Sequence, residues 1–451
     1  MLTIAQAARA LGAEWPHQDR TIAAIATDSR AAEPGCLFFA LRGERFDAHN
    51  FLNEVATAQA LAAVVDQAWA ARNRAPLPII AVPDTRLALG RLAAAWRQQI
   101  KTRVIAITGS NGKTTVKEML ASIARAAVGE DAVLATQGNF NNDIGMPLTL
   151  FRLRDTHRYA ILEMGMNHAG ELTYLSGLAR PDVALINNAQ SAHLEGLGSV
   201  ENIARAKGEI LSGLSESGIA VLNAEDASLP LWRELAGKRR VVTFGLSPTA
   251  DVVGAAGEAG QLMIKTPAGN IDVSLQVRGL HNARNAVAAA TAAYVAGIAP
   301  DAIARGLAAF TGVKGRLQAS QGLEGARFID DSYNANPDST KAAIGVLAAE
   351  TGVRVLVLGD MGELGPNAPA LHREVGAYAK QAGIERLFGL GDLSKSAVEA
   401  FGEGGMHFER IEELLAELHN LLAPDVVVLV KGSRFMQMER VVKSFAAETG
   451  T

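Results

Sequence analysis

One cysteine, Cys36, stands among 451 residues, so no internal disulfide can form and nothing calls for an oxidising compartment. It sits in the apolar run Cys36-Leu37-Phe38-Phe39-Ala40-Leu41 and reads as a small buried residue rather than a nucleophile. No apolar stretch approaches the roughly 20 residues that a membrane span needs, so no membrane insertion is expected. The N-terminus lacks a basic region followed by an apolar core and does not read as a signal peptide, which makes the cytoplasm the expected location. Neither sign of charge dominates: 43 Lys and Arg stand against 47 Asp and Glu, a net charge of −4. There is no basic run to track phosphates, so a nucleic-acid partner is not expected. Any anion must be held locally, by backbone amides and a few placed cations. No repeat or low-complexity segment appears.

What is present is ample core material, 49% hydrophobic residues in a chain long enough for two to four domains. Residues 1–84 alternate short strand-like runs (24–27, 37–41, 62–65 and 79–82) with helix and turn, which predicts a small α/β domain. A helix follows from Arg86 to about Ile100. From there strands (104–108, 159–163, 182–187 and 219–222) alternate with amphipathic stretches. That pattern predicts a mostly parallel sheet with helices on both faces, ending near residue 312. A third α/β unit of Rossmann-like alternation occupies 313–451, with strands at 326–330, 354–358, 386–390 and 426–430.

The most specific motif is Thr108-Gly109-Ser110-Asn111-Gly112-Lys113-Thr114-Thr115, running from a strand into a helix. Val116, Met119, Leu120, Ile123 and Ala127 recur at spacings of three and four after it. Glycines let a backbone wrap a phosphate chain, and a helix N-terminus directs amides and positive dipole at it. Lys113 can reach the terminal phosphates, and Thr114 or Thr115 can bind Mg²⁺. The loop is the short Gly-x-x-Gly-Lys-Thr-Thr form, since Ile107 stands where the commoner pattern has another glycine.

Ligands of open α/β sheets bind beyond the C-terminal ends of the strands. Glu163 ends one strand and His193 lies just past another, so both are candidate Mg²⁺ ligands. Lys207 interrupts an apolar stripe formed by Ile203, Ile210, Leu211 and Leu214 in a helix predicted over 200–214. Two readings stand. The stem can be buried with its ammonium snorkelling to water. Alternatively, burial lowers the pKa and the free amine takes up CO₂, giving a carbamate that can hold a second Mg²⁺. In the first segment, Ser29, Arg30, Arg42 and Asp47 are candidate substrate contacts, or equally serve as caps and ion pairs. In the third, Asp360, Lys431, Ser433 and Arg434 follow strand ends. There a carboxylate can be held by a cation and an amine by an acid.

These residues resemble the Mur ligase family along nearly the whole chain. The resemblance rests on Thr27-Asp28-Ser29-Arg30, on 40–47, on the phosphate loop, and on Gly138-Asn139-Phe140-Asn141-Asn142-Asp143-Ile144-Gly145. It continues through Glu163-Met164-Gly165-Met166-Asn167, Ala206-Lys207-Gly208-Glu209-Ile210 and Gly279-Leu280-His281-Asn282-Ala283-Arg284-Asn285. Gly315-Arg316, residues 330–337 and Lys431-Gly432-Ser433-Arg434-Phe435 complete it. Within the family the likeness is to the branch that uses ATP to join D-alanyl-D-alanine to UDP-N-acetylmuramoyl-tripeptide in peptidoglycan synthesis.

The resemblance implies three domains: a first for the UDP substrate, a second for ATP, and a third that closes over the site with the incoming dipeptide. It implies that Lys207 is carbamylated and that two Mg²⁺ ions serve the reaction. It places Asn285, Arg316, Asp331 and Asn334 at the nucleotide, and Asn139 and Asn141 at the substrate. A monomer is the expected state. Rival readings fare worse. The Asp-Asn-Pro-Arg motif of the enzymes that add the third residue is absent, and folate-polyglutamate ligases need no UDP-type first domain. A nucleotide switch of the small-GTPase kind would carry Asn-Lys-x-Asp, which is also missing.

Overall fold

The computed structural model describes residues 1–44, 46–191 and 194–446. Three sheets follow one another along the chain. The first has four parallel strands, Ile25–Ala26, Leu37–Phe39, Ala62–Asp66 and Ile79–Val82. The second has nine strands, and the third has six.

In the middle sheet seven neighbouring strands run parallel, from Val133–Ala135 at one edge to Val252–Ala256. Their near-continuous apolar runs have a simple cause. Successive side chains point to opposite faces, and helices cover both. Thus Val104 and Ala106 of the strand Arg103–Thr108 enter one core, with Leu162 and Ile186. Ile105 and Ile107 enter the other, with Ile161 and Leu185. Val116, Met119, Leu120 and Ile123 of the helix Lys113–Val128 bury into that second core. The third sheet divides in the same way: Leu356 and Leu358 face one core, Val355 and Val357 the other.

Several elements differ from the sequence expectation. The far edge of the middle sheet is an antiparallel pair, Gln261–Thr266 and Gly269–Ser274, which carries alternating burial and no helix between its strands. The third sheet likewise gains an antiparallel edge strand, Gln318–Gln321. The helix predicted over 200–214 is α-helical only over Val200–Gly208 and tightens into a 3₁₀ turn at Glu209–Gly213. The helix Thr85–Arg97 starts where Asp84 accepts from the amides of Arg86 and Leu87, at 2.8 and 2.9 Å. Its Leu89, Leu92 and Trp96 join a core that runs without a break from the first sheet into the middle one.

Candidate functional site

The strand Arg103–Thr108 lies between Tyr159–Glu163 and Val183–Ile186, all three parallel. Their C-terminal ends therefore open on one side and bring the phosphate loop, Glu163 and Asn187 together. Gly112 takes φ +77°, a conformation that costs an L side chain about 1–2 kcal/mol. A Cβ there would also stand 2.5 Å from Asn285 Oδ1 and 2.6 Å from Asn187 Nδ2. Asn285 thus presses against the loop itself. Asparagines and a glutamine from the neighbouring strand end brace it: Asn187 and Asn188 donate to the Asn111 carbonyl, Asn188 accepts from the Asn111 amide, and Gln190 accepts from the Asn111 side chain.

Lys113 Nζ donates to the carbonyls of Gly109 and Ser110 at 2.6 and 3.3 Å. Burial holds its pKa below the ordinary lysine value, with the Glu163 charge opposing. Glu163 is 2% exposed. Its Oε1 accepts from Asn141 at 2.8 Å, and its Oε2 is buried with no hydrogen-bond partner. A buried carboxylate oxygen left unpaired suits a bound cation. Lys207 is 1% exposed, so its amine does not snorkel to water. Burial drives its pKa well below the usual range, and the Lys113 charge adds to the effect. Thr114 Oγ1 accepts a long 3.4 Å bond from Arg316, and Thr115 is buried. His193 lies outside the described residues.

The third domain reaches the loop directly. Asn336 Nδ2 donates to Asn111 Oδ1 at 2.8 Å, and Asp338 accepts from the Ser191 amide at 2.9 Å. The Arg316 guanidinium stacks 4.4 Å over the Tyr333 ring, and its Nε is buried without a partner. Between the two domains lies a cleft of about 810 Å³, lined by the loop, Asn285, Arg316, Asp331, Asn334, Lys431 and Ser433 among others. Gly312 and Gly315, just ahead of Arg316 in the chain, take φ +106° and +71°.

Other sequence candidates are engaged elsewhere. Asp360 is one of them. Its Oδ1 accepts from the Ser394 amide at 2.7 Å, at the start of the helix Ser394–Phe401, and it is absent from the cleft lining. A strand-end acid can hold a helix start as readily as an amine. Lys431 does line the cleft, but its ammonium is bound to Asp331 Oδ2 at 2.5 Å and to the Asn334 carbonyl at 2.9 Å. Asp331 therefore holds a lysine and, through Oδ1, the Leu317 amide. Ser433 Oγ accepts from the Gly362 amide and donates to the Ala335 carbonyl.

In the first domain the exposed Arg30 forks onto Asp28. That pairing, with the Arg30 amide bond, lowers the Asp28 pKa to about 2. Ser29 sits in the turn that Asp28 caps. Arg42 pairs with Asp47 and Asp66. Burial opposes ionisation of Asp47, but the amide and ring of His49 and the Arg42 side chain donate to it and hold its pKa below the usual value. Asn139 is exposed, while Asn141 holds Glu163. Sequence reasoning missed Gln190 and Asn336. The available signal was the polar run Asn187-Asn188-Ala189-Gln190 just past a strand end.

Comparisons with known proteins bear on this arrangement. Residues 21–97 match the Mur ligase family catalytic domain, 107–293 the Mur ligase middle domain, and 315–434 the Mur ligase glutamate ligase domain. The chain is 44% identical to the UDP-N-acetylmuramoyl-tripeptide--D-alanyl-D-alanine ligase of Escherichia coli, over 100% of this chain and 99% of that protein. It is 36% identical to the Bacillus subtilis protein of the same name, over 98% and 96%. Among solved structures, MurF from Acinetobacter baumannii superposes with a TM-score of 0.90 at 38% identity, covering 98% of each chain. MurF from Thermotoga maritima, solved in complex with ADP, superposes at 0.83 and 27% identity, over 94% of this chain and 96% of that one. With all three domains matched and a whole-length relative at this identity, the chain belongs to the Mur ligase family of ATP-dependent ligases.

Proposed function

We propose that this chain uses ATP to join D-alanyl-D-alanine to UDP-N-acetylmuramoyl-tripeptide, giving the UDP-N-acetylmuramoyl-pentapeptide, ADP and phosphate in peptidoglycan synthesis. The observation that carries the choice of substrates is the 44% identity along the whole chain to an enzyme of that name. The site is consistent with the chemistry. A carboxylate is a poor acceptor for an amine. The substrate carboxylate first attacks the γ-phosphorus of ATP, and ADP leaves as an acyl phosphate forms. The dipeptide amine then adds to the acyl carbon, and phosphate departs.

In this reading residues 109–115 cradle the phosphates, and Lys113 exchanges its carbonyl contacts for phosphate oxygens. Asn285 and Arg316 stand where the nucleotide passes from the loop toward the third domain. Glu163, Thr114 and His193 would hold Mg²⁺, and Lys207 as a carbamate would hold a second ion. The unpaired Glu163 oxygen and the suppressed Lys207 charge fit that role. Bound Mg²⁺ offsets negative charge on the transferring phosphoryl group. The third domain, residues 313–451, closes on the joint near Gly312–Gly315 and keeps water from the acyl phosphate. Residues 1–84 take the UDP end through Ser29, Arg30, Arg42 and Asp47, with the two arginines exchanging their present carboxylate partners for a diphosphate, and residues 85–312 form the ATP domain. Asn139 and Asn141 face the substrate, and Lys431 and Ser433 face the dipeptide. The enzyme works as a monomer in the cytoplasm. Among the described residues no helix is long and apolar enough to cross a membrane.

The test is phosphate release from ATP with each component left out in turn. Release only with both substrates, together with a pentapeptide product, is expected. Release with a single amino acid in place of the dipeptide would keep the ligase and overturn the acceptor.

A further inference from the structure

Among the described residues three lysines are buried, Lys117, Lys207 and Lys431. Taking an ammonium out of water is costly unless it is paired and hydrogen-bonded. Lys207 and Lys431 have places in the reading above. Lys117, 1% exposed, has none.

Lys117 lies one turn beyond Lys113 on the helix Lys113–Val128, on the same face. Its ammonium donates to the Thr136 carbonyl at 2.9 Å and pairs with the Glu118 carboxylate. Thr136 is itself buried. It follows the edge strand Val133–Ala135, which runs parallel to Tyr159–Glu163. In a parallel ladder, a residue that donates its amide to one partner accepts, at its own carbonyl, from the residue two further on. Thr136 donates to the Ile161 carbonyl at 3.0 Å, so its carbonyl is due the Glu163 amide. That amide goes instead to Thr136 Oγ1, at 3.0 Å. Lys117 has taken the carbonyl, and the hydroxyl stands in for it.

The chain leaves the sheet at this point and returns at Asn141. There Asn141 Nδ2 donates to Glu163 Oε1 at 2.8 Å, and the Asn141 carbonyl accepts from the Gly165 amide at 2.9 Å. Glu163 is thus held at its backbone by Thr136 and at its carboxylate by Asn141, while Oε2 stays unpaired.

We propose that Lys117, acting through Thr136, is a positioning residue that aims Glu163 at the bound metal ion. It ties that carboxylate to the helix that begins at the phosphate loop. The inference rests on the metal reading of Glu163.

The experiment measures ADP affinity calorimetrically, first with EDTA and then with excess Mg²⁺, and takes the ratio as the metal-dependent gain. The variants are Thr136→Val, Thr136→Ser, Lys117→Met, Glu163→Gln, and Thr136→Val combined with Glu163→Gln. Valine keeps the shape of threonine without its hydroxyl, and serine restores the oxygen. Loss of one hydrogen bond corresponds to roughly a 3–10-fold change in affinity. We expect the gain to fall by that factor in Thr136→Val and in Lys117→Met, with the metal-free affinity unchanged. Thr136→Ser should keep the gain within about twofold of the wild type. Added to Glu163→Gln, Thr136→Val should cost nothing further, because the carboxylate it places is already gone. An undiminished gain in Thr136→Val would overturn the proposal. So would an equal fall in metal-free affinity, which marks a general disturbance of the fold, or additive losses in the double variant. A full gain in Lys117→Met would remove the lysine from the arrangement. Thr136→Val leaves the Lys117 bond in place, so its result does not depend on how well Lys117→Met folds. A Glu163→Gln protein with the same gain as the wild type would instead defeat the metal reading of Glu163 itself.

Discussion

Replacing Lys431 with methionine tests how the third domain is held together. The Lys431 and Asp331 side chains are 2% and 11% exposed, and their bond is 2.5 Å long. Methionine keeps the apolar stem, so the change is mainly electrostatic. It leaves the Asp331 carboxylate buried with only the Leu317 amide, at 3.2 Å, and it strips the Asn334 carbonyl of its donor. Breaking a buried pair from one side costs about 3–5 kcal/mol, because the remaining charge is uncompensated. Adding Asp331→Asn removes that charge and still leaves an oxygen for Leu317. The double variant is therefore expected to recover about 2 kcal/mol relative to Lys431→Met alone, a coupling that independent sites would not show. The four tryptophans, Trp15, Trp69, Trp96 and Trp232, all precede the third domain, so fluorescence would not report on it. Hydrogen exchange of peptides covering Val426–Lys431 and Arg327–Asp331 reads local stability where the pair sits. A loss under about 1 kcal/mol in Lys431→Met, or a double variant equal to the sum of the singles, would refute the argument.

Gly112→Ala combines a left-handed backbone with a Cβ 2.5 Å from Asn285 Oδ1, and ADP affinity should fall at least about tenfold by calorimetry. Undiminished binding would mean that the loop does not hold the phosphates as described. Lys207→Ala is expected to be nearly inactive and partly restored by added formate or acetate, which can stand in for a carbamate. Full activity without them would remove Lys207 from the mechanism. Asp47 supplies a pH test. Its folded pKa is depressed, so its contribution is complete above the unfolded value near ~4 and fades as pH falls through the lower folded value. Thermal melts across that acid window should show the wild type losing more stability than Asp47→Asn, and parallel losses would contradict the assigned network.

The phosphate loop was legible because its chemistry is local: glycines, a lysine and two threonines between an apolar strand and an amphipathic helix. Glu163 was legible for a similar reason, as a carboxylate closing a buried strand. The edge hairpin Gln261–Ser274 was missed because a helix-and-strand alternation was expected to continue. There the apolar period had already changed to two, with Leu262 and Ile264 in and their neighbours out.

By itself the sequence determined three α/β units, the strand ends that carry polar residues, and the identity of the loop. These follow from periodicity and from residue types that act within a few positions of one another. Only the tertiary structure decided which of those polar residues are occupied with each other. Lys431 meets Asp331 across 100 positions, and Asn111 meets Asn336 across 225. Strand order and domain placement make those contacts, and neither is written in any local pattern. The same holds for Lys207. Its position in an apolar stripe allowed either snorkelling or burial, and the packing around the helix Val200–Gly208 closed the route to water.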